Sequence, residues 1–177
     1  MRRLVMMACS AVVGLLMLPG CGGGAPPLGL GDGDTISTMQ TEVGQRVAFG
    51  GNVFSNHATE PVELISAELV STNDTSGVSL VSVDVVDLDS KQRGILGIGP
   101  WPDDEIYGPG AVEPITGHLI TAGGSAVQVL FIFDVEENGR WRWQSVDVSY
   151  LYKGEIYTDN VANGLILCAP VTGSCEP

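Results

Sequence analysis

Soft metal ligands are scarce in this chain. Of 177 residues only two are histidine and four cysteine, and Met39 is the one methionine beyond position 17. His57 and His118 each stand alone, with no His-x-His pair and no Cys/His cluster. Copper and zinc centres draw on such groupings, so neither a metal nor a cofactor is expected. His57 reads as an exposed turn residue and His118 as a strand residue with a local partner. Basic residues are also few: eight Lys and Arg against 21 Asp and Glu, a formal net charge of −13. A surface of that sign repels phosphate backbones and anionic headgroups, which excludes nucleic acid as a partner.

Catalytic patterning is missing as well. There is no Gly-x-Ser-x-Gly elbow, and Ser125 in "TAGGSAV" has no neighbouring base. "RGILGIGP" holds Gly94, Gly97 and Gly99 but no Lys-Ser/Thr and no helix to follow, so it is turn chemistry and not a phosphate loop. "GDGD" at 31–34 and Asp103-Asp104-Glu105 offer oxygen ligands without the spacing of a calcium loop. Asn73-Asp74-Thr75, formally a glycosylation sequon, reads as a polar turn. No enzyme is expected.

What is present begins with "MRRLVMMACSAVVGLLMLPGC". Arg2 and Arg3 precede an uncharged apolar run from Leu4 to Leu18. As a helix this run would be about 22 Å long, short of the roughly 30 Å hydrocarbon core, so it reads as an export leader and not a membrane span. Leu18-Pro19-Gly20-Cys21 resembles the lipobox of bacterial lipoproteins, in which a Leu stands three residues before the cysteine and a small residue just before it. The resemblance implies cleavage after residue 20, lipidation of Cys21, and a lipid-anchored protein on the extracytoplasmic face of a cell membrane. The expected organisation is a leader at 1–20, a Gly/Pro-rich tether at 21–42, and one folded domain at 43–177.

Cysteine usage agrees with export. Cys9 would leave with the leader and Cys21 would carry lipid, so Cys168 and Cys175 remain as a pair around "CAPVTGSC". In an oxidising compartment such a pair is expected to form a disulfide.

Beyond residue 43 the apolar pattern alternates with period two, and no window holds the i, i+3, i+4, i+7 spacing of a helix. In "PVELISAELVS", Val62, Leu64, Ala67 and Leu69 are the inward candidates. In "GVSLVSVDVVDLD" the phase changes near Leu80, which predicts a bulge. "AVQVLFIFDVEE" is apolar on both faces and reads as a central strand. Asn138-Gly139 suits a type I′ turn, so residues 126–136 are expected to form a hairpin with 140–152, and Lys153-Gly154 marks a second tight turn. The whole predicts an all-β fold, an immunoglobulin-like antiparallel β-sandwich of about seven to nine strands. "VFSNHATEPVELISAELV", with Asn56, Pro61, Val62 and Leu64, resembles the early strands of bacterial extracellular immunoglobulin-like modules, and the mature chain is similar in style to small acidic lipoproteins of actinobacteria. The Pro- and Gly-rich stretch 97–117 is read as either a Greek-key crossover or a functional surface.

Aromatics supply the remaining candidates. Trp141 and Trp143 share one strand face, and Val146, Val148, Tyr150 and Tyr152 share the other if the strand is regular. Either a bulge near Gln144-Ser145 brings both sets into the core, or the tryptophans form an outward patch beside Arg140 and Arg142. With Trp101, these residues make the candidate binding face. The functional expectation is a non-catalytic, membrane-anchored binding or interaction module whose ligand the sequence does not name, its partner a cell-envelope protein or glycan. A glycan or small-ligand binder using the tryptophans, or a loop-presenting protease inhibitor, is the alternative.

Overall fold

The computed structural model describes residues 26–30, 34–88, 97–102, 106–107, 110–170 and 175. The leader and Cys21 lie outside these residues, as do Asp103, Asp104 and Glu105. Two sheets face each other. The first runs β1 (Leu28–Leu30), β3 (Arg46–Asn56), β9 (Ala126–Val135), β5 (Val78–Asp87), β7 (Val112–Pro114), with β6 (Ile98–Pro100) also on β3. The second runs β2 (Thr35–Gln40), β12 (Asn163–Ala169), β10 (Gly139–Tyr152), β4 (Val62–Ser71), β8 (Leu119–Ile120), with β11 (Glu155–Val161) also on β10. All pairings are antiparallel except β2 with β12. The expected all-β sandwich is present. The chain changes sheet at β1–β2, β2–β3, β3–β4, β4–β5, β7–β8, β8–β9 and β9–β10, so both sheets are built from strands interleaved along the chain, as in an immunoglobulin-like sandwich.

The core fills with the inward residues of both sheets. From β9 come Val127, Val129, Phe131, Phe133 and Val135, and from β4 Val62, Leu64 and Ala67, all buried, with Leu69 partly so. Strand β5 carries the expected irregularity, a register shift between Leu80 and Ser82 against β9.

Two expectations are corrected here. Residues 126–136 and 140–152 do not form a hairpin. Strand β9 is hydrogen-bonded along both edges, by β3 and by β5, so β10 has no edge to join and crosses to the other sheet. Neither Asn138 nor Gly139 takes the positive φ a type I′ turn demands, whereas Lys153 (φ 52°) and Gly154 (φ 80°) both do, and they close the β10–β11 hairpin. The tether expected over 21–42 is also shorter than its composition implied. Leu28–Leu30 pairs with the far edge of β3, and Thr35–Gln40 runs parallel along β12. Short Gly/Pro-rich segments cannot bury enough surface to order themselves, but an existing sheet edge supplies their backbone partners, and Leu28 gains a place in the core.

Candidate functional site

The two tryptophans of β10 are not a surface feature. A register shift between Trp143 and Ser145 against β4 resets the alternation of the strand, so Trp141, Trp143, Val146, Val148 and Tyr150 all enter the core. Trp141 and Trp143 are only 3% and 5% exposed. Trp143 lies 5.3 Å from the Phe133 ring, and Trp141 donates its indole N–H to the Ser76 carbonyl at 2.7 Å. Arg140 and Arg142 alternate with them, opposite Cys168 and Ile166 on the outer face. The binding face expected from Trp141, Trp143, Arg140 and Arg142 is therefore divided between the two sides of a sheet. Asn73 fastens the adjoining turn to this strand, donating from Nδ2 to the Arg140 carbonyl and accepting at Oδ1 from the Arg142 N–H, both at 2.8 Å. Its reading as a polar turn residue is met by these bonds.

Cys168 and Cys175 form the expected disulfide. Together with Ile166 they make a small apolar cluster on the outer side of β12, with Cys175 held against that strand. His57 is exposed, as expected. His118 precedes β8 and stands 3.5 Å from both the Asp87 and Glu113 carboxylates. Among the described residues no group of three or more His, Cys, Asp or Glu could hold a metal ion.

The Pro/Gly-rich stretch proves to be a strap. It starts on one margin of the first sheet as β6, paired with β3, and ends on the opposite margin as β7, paired with β5. Between them Trp101, Ile106, Tyr107 and Ala111 cover the outer face of that sheet, where Ala48, Val86, Leu130 and Ile132 form a second apolar core. This explains why β9 is apolar on both faces. The Tyr107 hydroxyl donates to Gln128 Oε1 at 2.8 Å, and Gln128 Nε2 donates to the Gly50 carbonyl, so the strap is pinned by a buried polar relay as well as by apolar contact.

At the margin where the strap begins lies a cleft of about 680 Å³, lined by Val43, Gly44, Arg46, Trp101, Pro102, Asp134, Val135 and Glu136. Trp101 is half-buried. Part of it rests on the second core and on Tyr107, with ring centroids 5.9 Å apart, and part lines the cleft. Arg46 and Asp134 face each other across the β3–β9 register and form a bidentate pair, Nε to Oδ1 at 2.7 Å and Nη2 to Oδ2 at 2.8 Å. The bond to Arg46 holds the Asp134 carboxyl below its ordinary range, and the same bond raises the Arg46 guanidinium. Glu136 accepts a hydrogen bond from Ser79 at 2.7 Å. Of the sequence candidates only Trp101 belongs to this cleft. Arg46, Asp134 and Glu136 went unnoticed because nothing in the sequence says that positions 46 and 134 are strand partners.

Strand order and crossings define an immunoglobulin-like β-sandwich with a strap across one outer face. No family model matches the chain, and no curated protein matches it. Among solved structures it is similar to PapD-like domain 7 of human CEP192, at 15% identity and a TM-score of 0.41 over 96% of this chain and 100% of that one. It is also similar to part of a family 123 glycoside hydrolase from Clostridium perfringens, at 10% identity and a TM-score of 0.40 over 78% of this chain and 24% of the hydrolase. A third is the seventh ScaB type I cohesin of Pseudobacteroides cellulosolvens, at 12% identity and a TM-score of 0.28 over 80% of this chain and 96% of the cohesin. None of these likenesses bears on ligand or activity.

Proposed function

We infer that this protein is an extracytoplasmic lipoprotein whose sandwich is a non-catalytic binding module, anchored through Cys21 and presenting the Trp101 cleft as its working surface. The cleft carries the reading. Its walls are tied by backbone bonds, Gly44 N–H to the Val135 carbonyl at 2.8 Å, Val135 N–H to Gln45 at 3.0 Å and Trp101 N–H to Arg46 at 2.9 Å, so it is formed before any ligand arrives. Its aspartate is committed to Arg46 and held in the ionised form, which suits binding and not proton transfer near neutral pH. The lipobox-like Leu18-Pro19-Gly20-Cys21 supports the anchor, and the Cys168–Cys175 disulfide fits an oxidising compartment.

Two measurements on cells making the full chain test this. Mass spectrometry of the membrane fraction is expected to find an acylated Cys21 as first residue, with Cys21→Ser released to the soluble fraction. An unchanged membrane fraction for Cys21→Ser would refute the anchor. A photocrosslinking residue at Val43, 46% exposed on the cleft wall, is expected to trap one dominant envelope species, whereas the same probe at Ile156 on β11 traps none. Equal capture at both positions would refute the cleft as the working surface.

A further inference from the structure

We propose that the Trp101 cleft takes a neutral sugar ring, with the indole as platform for its C–H face and Arg46, Asp134 and Glu136 meeting its hydroxyls. The proposal rests on the binding-module reading and gives that site its ligand class.

Trp101 differs in kind from the other two tryptophans. Trp141 has its N–H satisfied inside the fold and Trp143 is stacked in the core. Trp143 reaches a smaller cleft of about 300 Å³ but is only 5% exposed, whereas Trp101 is half-buried with part of its ring on the 680 Å³ cleft, and its indole N–H has no partner among the described residues. A flat aromatic surface with a free donor at its edge matches a molecule that is apolar on one face and hydroxylated around its rim.

The charged groups narrow the class. Among the described residues one guanidinium and two carboxylates line the cleft, on a chain of formal net charge −13. An anionic ligand would meet Asp134 and Glu136. A cationic one would displace or oppose the Arg46 guanidinium, already held bidentately by Asp134. A neutral polyol meets neither penalty. It finds partners too: the pair consumes two of the five guanidinium protons and leaves lone pairs on Asp134, while Glu136 keeps its second oxygen free of the Ser79 bond. Both members of the pair are partly exposed, 45% and 38% by side chain, so hydroxyls can reach them without breaking it. The volume of about 680 Å³ falls within the roughly 300–1,000 Å³ of small-ligand clefts. Walls tied to one another by backbone bonds keep the cost of ordering the site low.

The test uses the full chain in detergent micelles and titrates it by calorimetry with three uncharged probes, the β-1,4-linked N-acetylglucosamine tetramer, cellotetraose and maltotetraose, with tetramethylammonium as the cationic comparator. At least one tetrasaccharide is expected to bind. Trp101→Ala should weaken it by about tenfold or more, and Trp101→Phe, which keeps a platform, by only about threefold. Glu136→Gln, at an exposed position whose Ser79 bond an amide can keep, should weaken it by about threefold and report on the cleft even if Trp101→Ala fails to fold. Absence of binding by all three tetrasaccharides, equal binding by Trp101→Ala and wild type, or preference for tetramethylammonium would each overturn the sugar assignment. Capture of an envelope protein at Val43 alongside absent sugar binding overturns the sugar and leaves the module reading. Sugar binding by a chain that carries no lipid does the reverse to the anchor.

Discussion

Tyr150 shows how one residue can set a pH limit on the fold. It is fully buried, and its hydroxyl donates to Asp159 Oδ2 at 2.6 Å. Burial first, then that hydrogen bond and the charge of Asp159, push its ionisation well above the ordinary 10.0. The folded chain therefore keeps the phenol proton at pH values where the unfolded chain has lost it. The stabilising contribution is whole below about pH 10 and declines as pH rises through and beyond that value. Tyr150→Phe is expected to cost about 1–2 kcal/mol at neutral pH, from the lost bond to a charged partner, and to flatten the alkaline decline. Urea denaturation at about pH 7 and 11 measures both, and an unchanged alkaline slope would take Tyr150 out of that role. Gly164 is constrained differently. A β-carbon there would lie 2.6 Å from the Trp143 carbonyl oxygen and 3.3 Å from that of Gln144. Backbone cannot yield as a flexible side chain would, so Gly164→Ala should lower stability by about 2 kcal/mol. Its midpoint in urea relative to wild type is the check.

The strap is an element whose course the sequence left open, whereas the disulfide-closed loop was expected from the cysteines. Tyr107 is 3% exposed and anchors the strap between the β3 and β5 margins. Tyr107→Phe should cost about 1 kcal/mol for the lost bond to Gln128. Tyr107→Ala should cost about 3 kcal/mol and open the strap to proteolysis between Trp101 and Ala111. Limited proteolysis with fragment masses distinguishes the two variants, and equal resistance would show that the strap is held elsewhere. Cys168 and Cys175 close a loop of sequence separation 7. Loop-closure entropy for so short a ring is worth about 2.5 kcal/mol, so Cys168→Ser/Cys175→Ser should lower the unfolding free energy by roughly that amount. A smaller loss in reducing buffer for wild type than for the double variant would contradict a purely entropic account.

At the scale of the whole molecule, the two sheets bury their facing sides against each other, and the strap buries the outer side of the first sheet. That sheet is therefore dry on both faces through β9, while the second shows polar residues outward along β10 and β11. The asymmetry places the cleft: it opens where the strap leaves the sheet margin, beside the ends of β3 and β9. A ligand held there stands clear of the β10–β11 hairpin and its Lys153-Gly154 turn, which is the geometric basis for using Ile156 as the crosslinking control.

Period-two alternation, the near absence of helical spacing and the density of turn residues made the β-sandwich legible from the sequence, because those signals are local and backbone geometry obeys them directly. The phase change at Leu80 was legible for the same reason, since a bulge resets alternation wherever apolar residues change parity, while around Gln144-Ser145 the sequence left a bulge and an outward tryptophan patch as alternatives and the structure has the bulge. The disulfide followed from counting cysteines. Long-range partnership was not legible. Asn138-Gly139 looked like a hairpin, yet both edges of β9 were already taken by β3 and β5. Leu28–Leu30 looked like tether, yet the edge of β3 was free to receive it. The Arg46–Asp134 pair beside Trp101 exists only because β3 and β9 meet in one register. Local chemistry determined the long strands of the core, while tertiary structure decided which strands meet and drew Leu28–Leu30 and Thr35–Gln40 into the sheets, because hydrogen-bonding edges accept any strand that geometry and loop closure bring to them.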